Sequence, residues 1–290
     1  MPLPILSGLA DIAERYDGFI LDAWGVLHDG VSPYPFACET LERLQAAGKK
    51  TVILSNAPRR AEALYTQMEG IGVPRRLYGG AMTSGEAVYR ALVDRSDPFY
   101  ARLGERCWHL GPDRDRNVVD GLDFAMVPVE QADWVLNTGP DPLGATAADY
   151  ERELQIAAAR GLPMICANPD LVIIRAGQRI ECAGALARRY KDLGGVVNYR
   201  GKPDPTIYHA CLDVLEIDER PRVLCVGDAF HTDIAGGLAA GFDVLFVTGG
   251  IHHAELGLAV GDSPTSEALS RLIAHHDGIR PTYAVPLFRW

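Results

Sequence analysis

The chain has 290 residues, 48 % of them hydrophobic, which is enough to bury one large core or two modest ones. Its formal charge of −10 is accompanied by no run of lysine or arginine, so the concentrated basic footprint that nucleic acid or an anionic membrane surface requires is absent. Small-molecule chemistry is what remains, and net acidity does not forbid an anionic ligand, because one lysine and one metal ion can set the potential inside a pocket.

At the N-terminus Asp11, Glu14 and Arg15 stand where a signal peptide would be apolar, and no apolar run is long enough to span a bilayer, so a cytoplasmic protein is expected. The first strand is read at 18–22, Gly-Phe-Ile-Leu-Asp, followed by a turn-rich loop through Gly25, Gly30, Pro33 and Pro35. A helix from about Phe36 to Ala47 ends at Gly48, and a second strand covers 51–54. Pro58 is placed like the first residue of the next helix, with Ala61, Leu64 and Met68 at helical spacing. Thr83 and Glu86 then read as a capping box.

From about residue 82 the chain starts again, with strands near 107–110, 124–127, 133–137, 163–167 and 171–182. The longest helix of this module is expected to open at Thr146, with Asp149 completing a capping box, and to run through Leu154, Ala157 and Ala158 to Gly161. Arg175 to Glu181, around Gly177-Gln178, reads as a hairpin. Core-like sequence resumes near Ala183 and continues through helix 205–216, strand 222–227, helix 232–240 and strand 244–248. The tail after Pro281 is apolar enough to pack. Strands alternating with amphipathic helices predict an α/β fold with a mostly parallel sheet and helices on both faces.

Four polar groups stand in positions suited to phosphoryl chemistry, three of them at the ends of apolar runs. Asp22 ends the first strand, Ser55 follows Val52-Ile53-Leu54, Lys202 sits in Gly201-Lys202-Pro203, and Gly227-Asp228 closes Val223 to Val226, with Thr232-Asp233 just beyond. In an open parallel sheet ligands bind beyond the carboxyl ends of the strands, so Asp22, Ser55 and Asp228 can converge. Taken alone each has a plain reading: Ser55-Asn56 as a helix cap, Asp233 as a charge on the first turn of the next helix, Lys202 as a solvated loop lysine. Together they point to phosphoryl chemistry, in which a carboxylate attacks phosphorus once a divalent cation has removed the repulsion between two anions.

The ordered set resembles the haloacid dehalogenase (HAD) superfamily of aspartate-nucleophile hydrolases. An insertion of about 100 residues between the serine and lysine elements resembles its class IIA, NagD-like branch. The resemblance implies a Rossmann-like core at 1–82 and 183–290, with an α/β class IIA cap, the substrate-specificity domain, at 83–182. It implies Asp22 as nucleophile and metal ligand, the Trp24 carbonyl and Asp228 as further ligands, and Asp233 in a second shell around Mg2+. Ser55 and Asn56 would donate to the phosphoryl oxygens, Lys202 would neutralise charge on Asp22 and the transferring group, and Gly25 would leave room for the phosphate. A folded cap favours a small phosphorylated metabolite as substrate, and caps of this class often pair, which points to a homodimer.

One position departs from the pattern. Members that hydrolyse phosphate esters generally carry aspartate two residues after the nucleophile as acid and base, and here that residue is Trp24. Indole neither gives nor takes a proton at neutral pH, and positioned acid–base help is worth about 10²–10⁴ in rate. Three readings follow: a phosphatase whose leaving group needs little protonation or whose shuttle is His28, Asp29 or the cap; another hydrolytic reaction at Asp22; and a weakly active or inactive phosphometabolite-binding protein. Substrate identity would lie in the cap, where Trp108, Trp134, Asn137 and Thr138 to Asp141 are candidates, although strand tryptophans usually serve a core. The six cysteines are scattered without a C-x-x-C pair and read as reduced core residues; His28, His231, His252 and His253 lack metal spacing and read as loop residues, so zinc is not expected.

Overall fold

Four residues without a polar side chain precede Asp22, and with it they form β1 (Gly18–Asp22), buried along its whole length. The computed structural model describes residues 3–175, 178–218 and 222–290. After β1 come α1 (Ala37–Ala46), which turns Leu41 and Leu44 inward, β2 (Lys50–Ser55), α2 (Ala61–Ile71) and β3 (Gly80–Thr83). The second module follows with α3 (Ser84–Asp94), α4 (Pro98–Ala101), β4 (Arg106–Leu110), β5 (Ala125–Met126), β6 (Trp134–Asn137), α5 (Glu151–Ala159), β7 (Met164–Cys166), β8 (Val172–Arg175), β9 (Gln178–Glu181), α6 (Ala183–Asp192) and β10 (Val197–Tyr199). The chain returns through α7 (Pro205–Leu215), β11 (Val223–Gly227), a π-helical turn at Phe230–Ile234, α8 (Ala235–Ala239), β12 (Asp243–Val247), α9 (Ser266–His275) and β13 (Tyr283–Val285).

The strands form a six-stranded sheet in the order β13-β12-β11-β1-β2-β3, a five-stranded sheet in the order β10-β7-β6-β4-β5, and a β8–β9 hairpin. The pairs β1–β2, β1–β11, β11–β12 and β12–β13 are parallel, as are the four pairs of the five-stranded sheet. This is the expected α/β architecture of mostly parallel sheets with helices on both faces. The antiparallel hairpin is also present, while Gly177, expected at its turn, lies outside the described residues.

Two compact units result, one comprising Met1–Ser55, Tyr65–Met82 and Lys202–Trp290, the other Asn56–Leu64 and Thr83–Gly201. The return expected at Ala183 thus comes later, at Lys202. The reason is packing: Leu186, Ala187 and Tyr190 of α6 are buried with Leu154 and Ala157 of α5 and with Met164, and β10 extends the second sheet by pairing with β7. A helix and a strand satisfied there cannot also belong to the first sheet.

Two caps differ in how they are made. Thr146 and Asp149 form the expected box, with Asp149 Oδ2 accepting from both the backbone N–H and the hydroxyl of Thr146. Thr83 caps α3 by accepting from Glu86 N–H at 2.9 Å, but the Glu86 carboxylate pairs with Arg60 at 2.6 Å, so the second half of that box is not closed. A guanidinium outbids a single backbone N–H for an acid this buried.

The C-terminal tail supplies the last strand of the first sheet. Leu6 and Leu9 donate to the carbonyls of Ala284 and Arg289, Pro4 accepts from Ala284, and Phe288 is fully buried. We expect Phe288→Ala to destabilise the protein by about 3–5 kcal/mol. Urea unfolding would measure this, and a change below about 1 kcal/mol would show that the tail is not part of the core.

Candidate active site

In the six-stranded sheet β1 is central: chain order runs outward through β2 and β3 on one side and through β11 to β13 on the other. Such a reversal leaves a crevice at the carboxyl ends of the strands. Asp22 is the last residue of β1 and lies beside Leu54, so Ser55 is the next residue along β2, and Asp228 directly follows β11. Lys202 is the first residue of the chain's return, and Asp233 lies in the π turn. π turns recur at functional sites because the extra residue re-aims side chains.

Asp22, Lys202, Asp228 and Asp233 come together, all buried. Lys202 Nζ donates to Asp22 Oδ1 at 2.5 Å and to Asp233 Oδ1 at 2.6 Å. Asp233 Oδ2 accepts from the N–H groups of Asp228 (3.3 Å) and Ala229 (3.1 Å), so both its oxygens are committed to holding the loop and the lysine. Asp228 Oδ2 accepts from Ile251 N–H at 2.7 Å. Gly25 has φ +88° and faces the Asp228 carboxylate; a Cβ there would fall on its oxygens, so no other residue type fits both the backbone and the space.

Three carboxylates therefore surround one ammonium. Burial, then the Asp233 charge, push Asp22 up to about 7 against the pull of Lys202. Burial, then Asp22 and Asp233, push Asp228 well above the carboxylate range. Burial works against the Lys202 charge too, but Asp22 and Asp233 outweigh it and hold the ammonium above its usual range. One oxygen each of Asp22, Asp228 and Asp233 lie within 4.8 Å of one another, a spacing and an excess of negative charge that a hard divalent cation satisfies.

The loop after Asp22 folds tightly. Leu27 and His28 N–H both donate to Ala23 O, and Gly25 N–H donates to His28 O. The Trp24 ring lies over Gly30 and meets His28 edge-on, centroids 5.5 Å apart. His28 Nδ1 accepts from Gly30 N–H at 3.0 Å, which puts the ring proton on Nε2, and burial holds this imidazole down to about 4. Asp29 accepts from the N–H groups of Ser32 and Val31, which keep it below the usual carboxylate range. At pH 7 the His28 imidazole is neutral, and the Asp29 carboxylate is engaged in its own turn.

Asn56 falls in the second unit, where it donates to Asp170 Oδ1 at 2.8 Å and accepts from Ser84 Oγ at 3.2 Å. Trp134 is a core residue, fully buried against Phe124 with Nε1 donating to Gly104 O. Trp108 packs against the α5–α6 core, and Asn137 is spent on Ala183 O and Gly139 N–H. Two of the histidines read as loop residues for want of metal spacing, His231 and His252, pack with a third. His231, His252 and His276 meet on the first unit, joined by Glu255; the ligand atoms lie on three segments, which no sequence window brings together. The cysteines are all free and all but Cys38 are buried.

A model of the haloacid dehalogenase-like hydrolases matches residues 19–125, and a HAD-hydrolase-like model matches 199–272. The chain is 32 % identical over 242 residues to the acid sugar phosphatase of Staphylococcus haemolyticus, covering 82 % of this chain and 87 % of the relative. It is 26 % identical over 239 residues to the ribonucleotide monophosphatase NagD of Escherichia coli, covering 80 % and 87 %. A haloacid dehalogenase-like hydrolase from Brucella suis superimposes with a TM-score of 0.82 at 33 % identity, covering 97 % of this chain and 98 % of that one.

The buried acids set an unusual pH dependence for protein stripped of divalent cations. Asp22 and Asp228 are held above their ordinary value of 3.8, so their contribution to stability is fully present below about pH 4 and is lost as pH rises through about 7. We expect the melting temperature of chelator-treated protein to fall across that window, and Asp228→Asn to flatten the fall. A rise in stability over the same window, unchanged by Asp228→Asn, would contradict this account.

Proposed function

Since the chain belongs to the haloacid dehalogenase-like hydrolases, in their class IIA, NagD-like branch, we propose that it is a magnesium-dependent phosphatase of small phosphorylated metabolites working through an aspartyl-phosphate at Asp22. The observation that carries this reading is the buried pairing of Asp22 and Asp233 with one lysine, beside Asp228, at the carboxyl ends of the central strands. The acid sugar phosphatase and the nucleotide monophosphatase named above are consistent with a small phosphate ester.

Asp22 attacks phosphorus, the bond to the ester oxygen breaks, and the leaving group departs; water then attacks the aspartyl-phosphate, releasing phosphate and restoring Asp22. Lys202 stabilises negative charge on Asp22 and on the transferring group, the kind of fixed electrostatic help that usually dominates catalysis. Ser55 donates to a phosphoryl oxygen, and Gly25 keeps the approach clear. Asp22, the Trp24 carbonyl and Asp228, with Asp233 behind them, would hold a magnesium ion, which would supply the positive charge that lets an anionic nucleophile meet an anionic ester. We assign the second unit the role of substrate-specificity cap, and the cytoplasm as the compartment, where six unpaired thiols stay reduced.

Trp24 decides which esters react well. With no carboxylic acid two residues after Asp22, a leaving group that departs as a stabilised anion is favoured, and hydrolysis of the aspartyl-phosphate lacks a general base. The test is phosphate and nitrophenolate release from p-nitrophenyl phosphate and from alkyl phosphates, with magnesium or with chelator. Native protein is expected to give a magnesium-dependent burst of about one nitrophenolate per chain followed by slow turnover. Asp22→Asn should abolish both phases, and Lys202→Met should lower the rate by about 10²–10³. Trp24→Asp should raise turnover of alkyl esters by about 10²–10⁴. Full activity of Asp22→Asn would overturn the mechanism; native protein silent on every ester would point to a phosphometabolite-binding role.

A further inference from the structure

Beside the acidic cluster, and separate from it, the first unit carries a second group of metal-competent side chains. His252 and Glu255 lie in the segment after β12, His276 caps the end of α9, and His231 lies in the π turn. One ligand atom each from His252, Glu255 and His276 lie within 4.8 Å of one another. His252 Nδ1 is 2.7 Å from Glu255 Oε1, and His276 Nε2 is 3.4 Å from Glu255 Oε2.

His276 lies between His231 and Glu255. Its residue is only 7 % exposed, yet Nε2, though close to Glu255, is not aligned for a hydrogen bond and has no other partner among the described residues. The opposite nitrogen, Nδ1, lies 3.3 Å from His231 Nε2. If Nδ1 donates to His231, the Nε2 lone pair faces a carboxylate oxygen with nothing positive between them, which is an arrangement a bridging cation resolves. A histidine whose far nitrogen donates to a neighbour while the near one faces an anionic ligand is how protein metal sites are oriented.

The geometry points to a second cation site, formed by His252 Nδ1, Glu255 and His276 Nε2, for a nitrogen-preferring ion of the zinc class. Two imidazoles and one carboxylate suit zinc, cobalt(II) or nickel and are poor for magnesium, whose oxygen ligands are in the acidic cluster. Binding displaces the proton of His252 Nδ1 to Nε2 at the expense of one weak contact, the 3.4 Å bond from Phe230 N–H. Glu255 is half exposed and opens the site to solvent, so an ion has a way in. The site would brace the acidic loop: Phe230, between Asp228 and Asp233, stacks on His276 at 4.5 Å with ring planes 3° apart.

The test uses the full chain carrying Asp228→Asn, so that the acidic cluster does not compete, stripped with chelator and titrated with cobalt(II) in excess magnesium. One cobalt per chain with the intense visible absorption of a four-coordinate nitrogen site is expected, and the melting temperature should rise on binding. Adding Glu255→Gln, a half-exposed change that leaves the packing intact, should weaken binding at least about 100-fold, more than loss of an outer partner does. His276→Ala should abolish it, with Glu255→Gln carrying the test if that variant does not fold. Absence of bound cobalt in the Asp228→Asn chain, or equal affinity after Glu255→Gln, would overturn the site and leave a His276–Glu255 proton pair in its place.

Discussion

Everything in the first unit is arranged around a buried imbalance of charge. Lys202 cannot neutralise Asp22, Asp228 and Asp233 together, and a carboxylate buried without a partner is several kcal/mol costlier than a paired one. The protein meets this in two ways. Backbone N–H groups of Asp228, Ala229 and Ile251 are aimed at the acids, and Gly25 lets the chain pass against Asp228 where a side chain would collide. What remains is an appetite for a cation, set by three buried acids against one lysine. Asp233, with both oxygens engaged, serves the arrangement by fixing Lys202 and the loop.

The loop that follows Asp22 shows how an indole is accommodated without disturbing the frame. Trp24 is not an indole left loose in the pocket: it lies over Gly30, whose missing side chain is the space the ring occupies, and meets His28 edge-on. The ring nitrogen of His28 that faces Gly30 is an acceptor, and burial keeps the imidazole neutral, so this histidine helps to hold the turn together. The position is therefore built for an aromatic residue, with the neighbours that such a residue needs.

Much of this was legible before any coordinates. Asp22, Ser55 and Asp228 stand at the ends of apolar runs, and a parallel sheet turns that one-dimensional sign into convergence in space; Lys202 and Asp233 were readable only in company with them. What failed to read was whatever depended on which partner wins. An amphipathic helix such as α6 shows an apolar face but not the sheet it will cover, so the return was placed at Ala183 when β10 still had to pair with β7. Glu86 has the spacing of a capping box, but Arg60 is closer in charge and in place. His231, His252 and His276 have no common period because the fold, through three separate segments, makes them neighbours.

The division of the chain also orders its biosynthesis. Every residue of the second unit precedes Lys202, so that unit is fully emerged while the first still lacks half its sheet. β1 must wait for β11, since Gly18 pairs with Val223, and Leu6 and Leu9 must wait for Ala284 and Arg289. Long-range pairings of this kind close late and slowly. Asp22 is thus among the first residues made and Lys202 arrives only after the whole second unit, so a nascent chain cannot assemble the acidic cluster early, and truncated products carry Asp22 without the lysine that pairs with it.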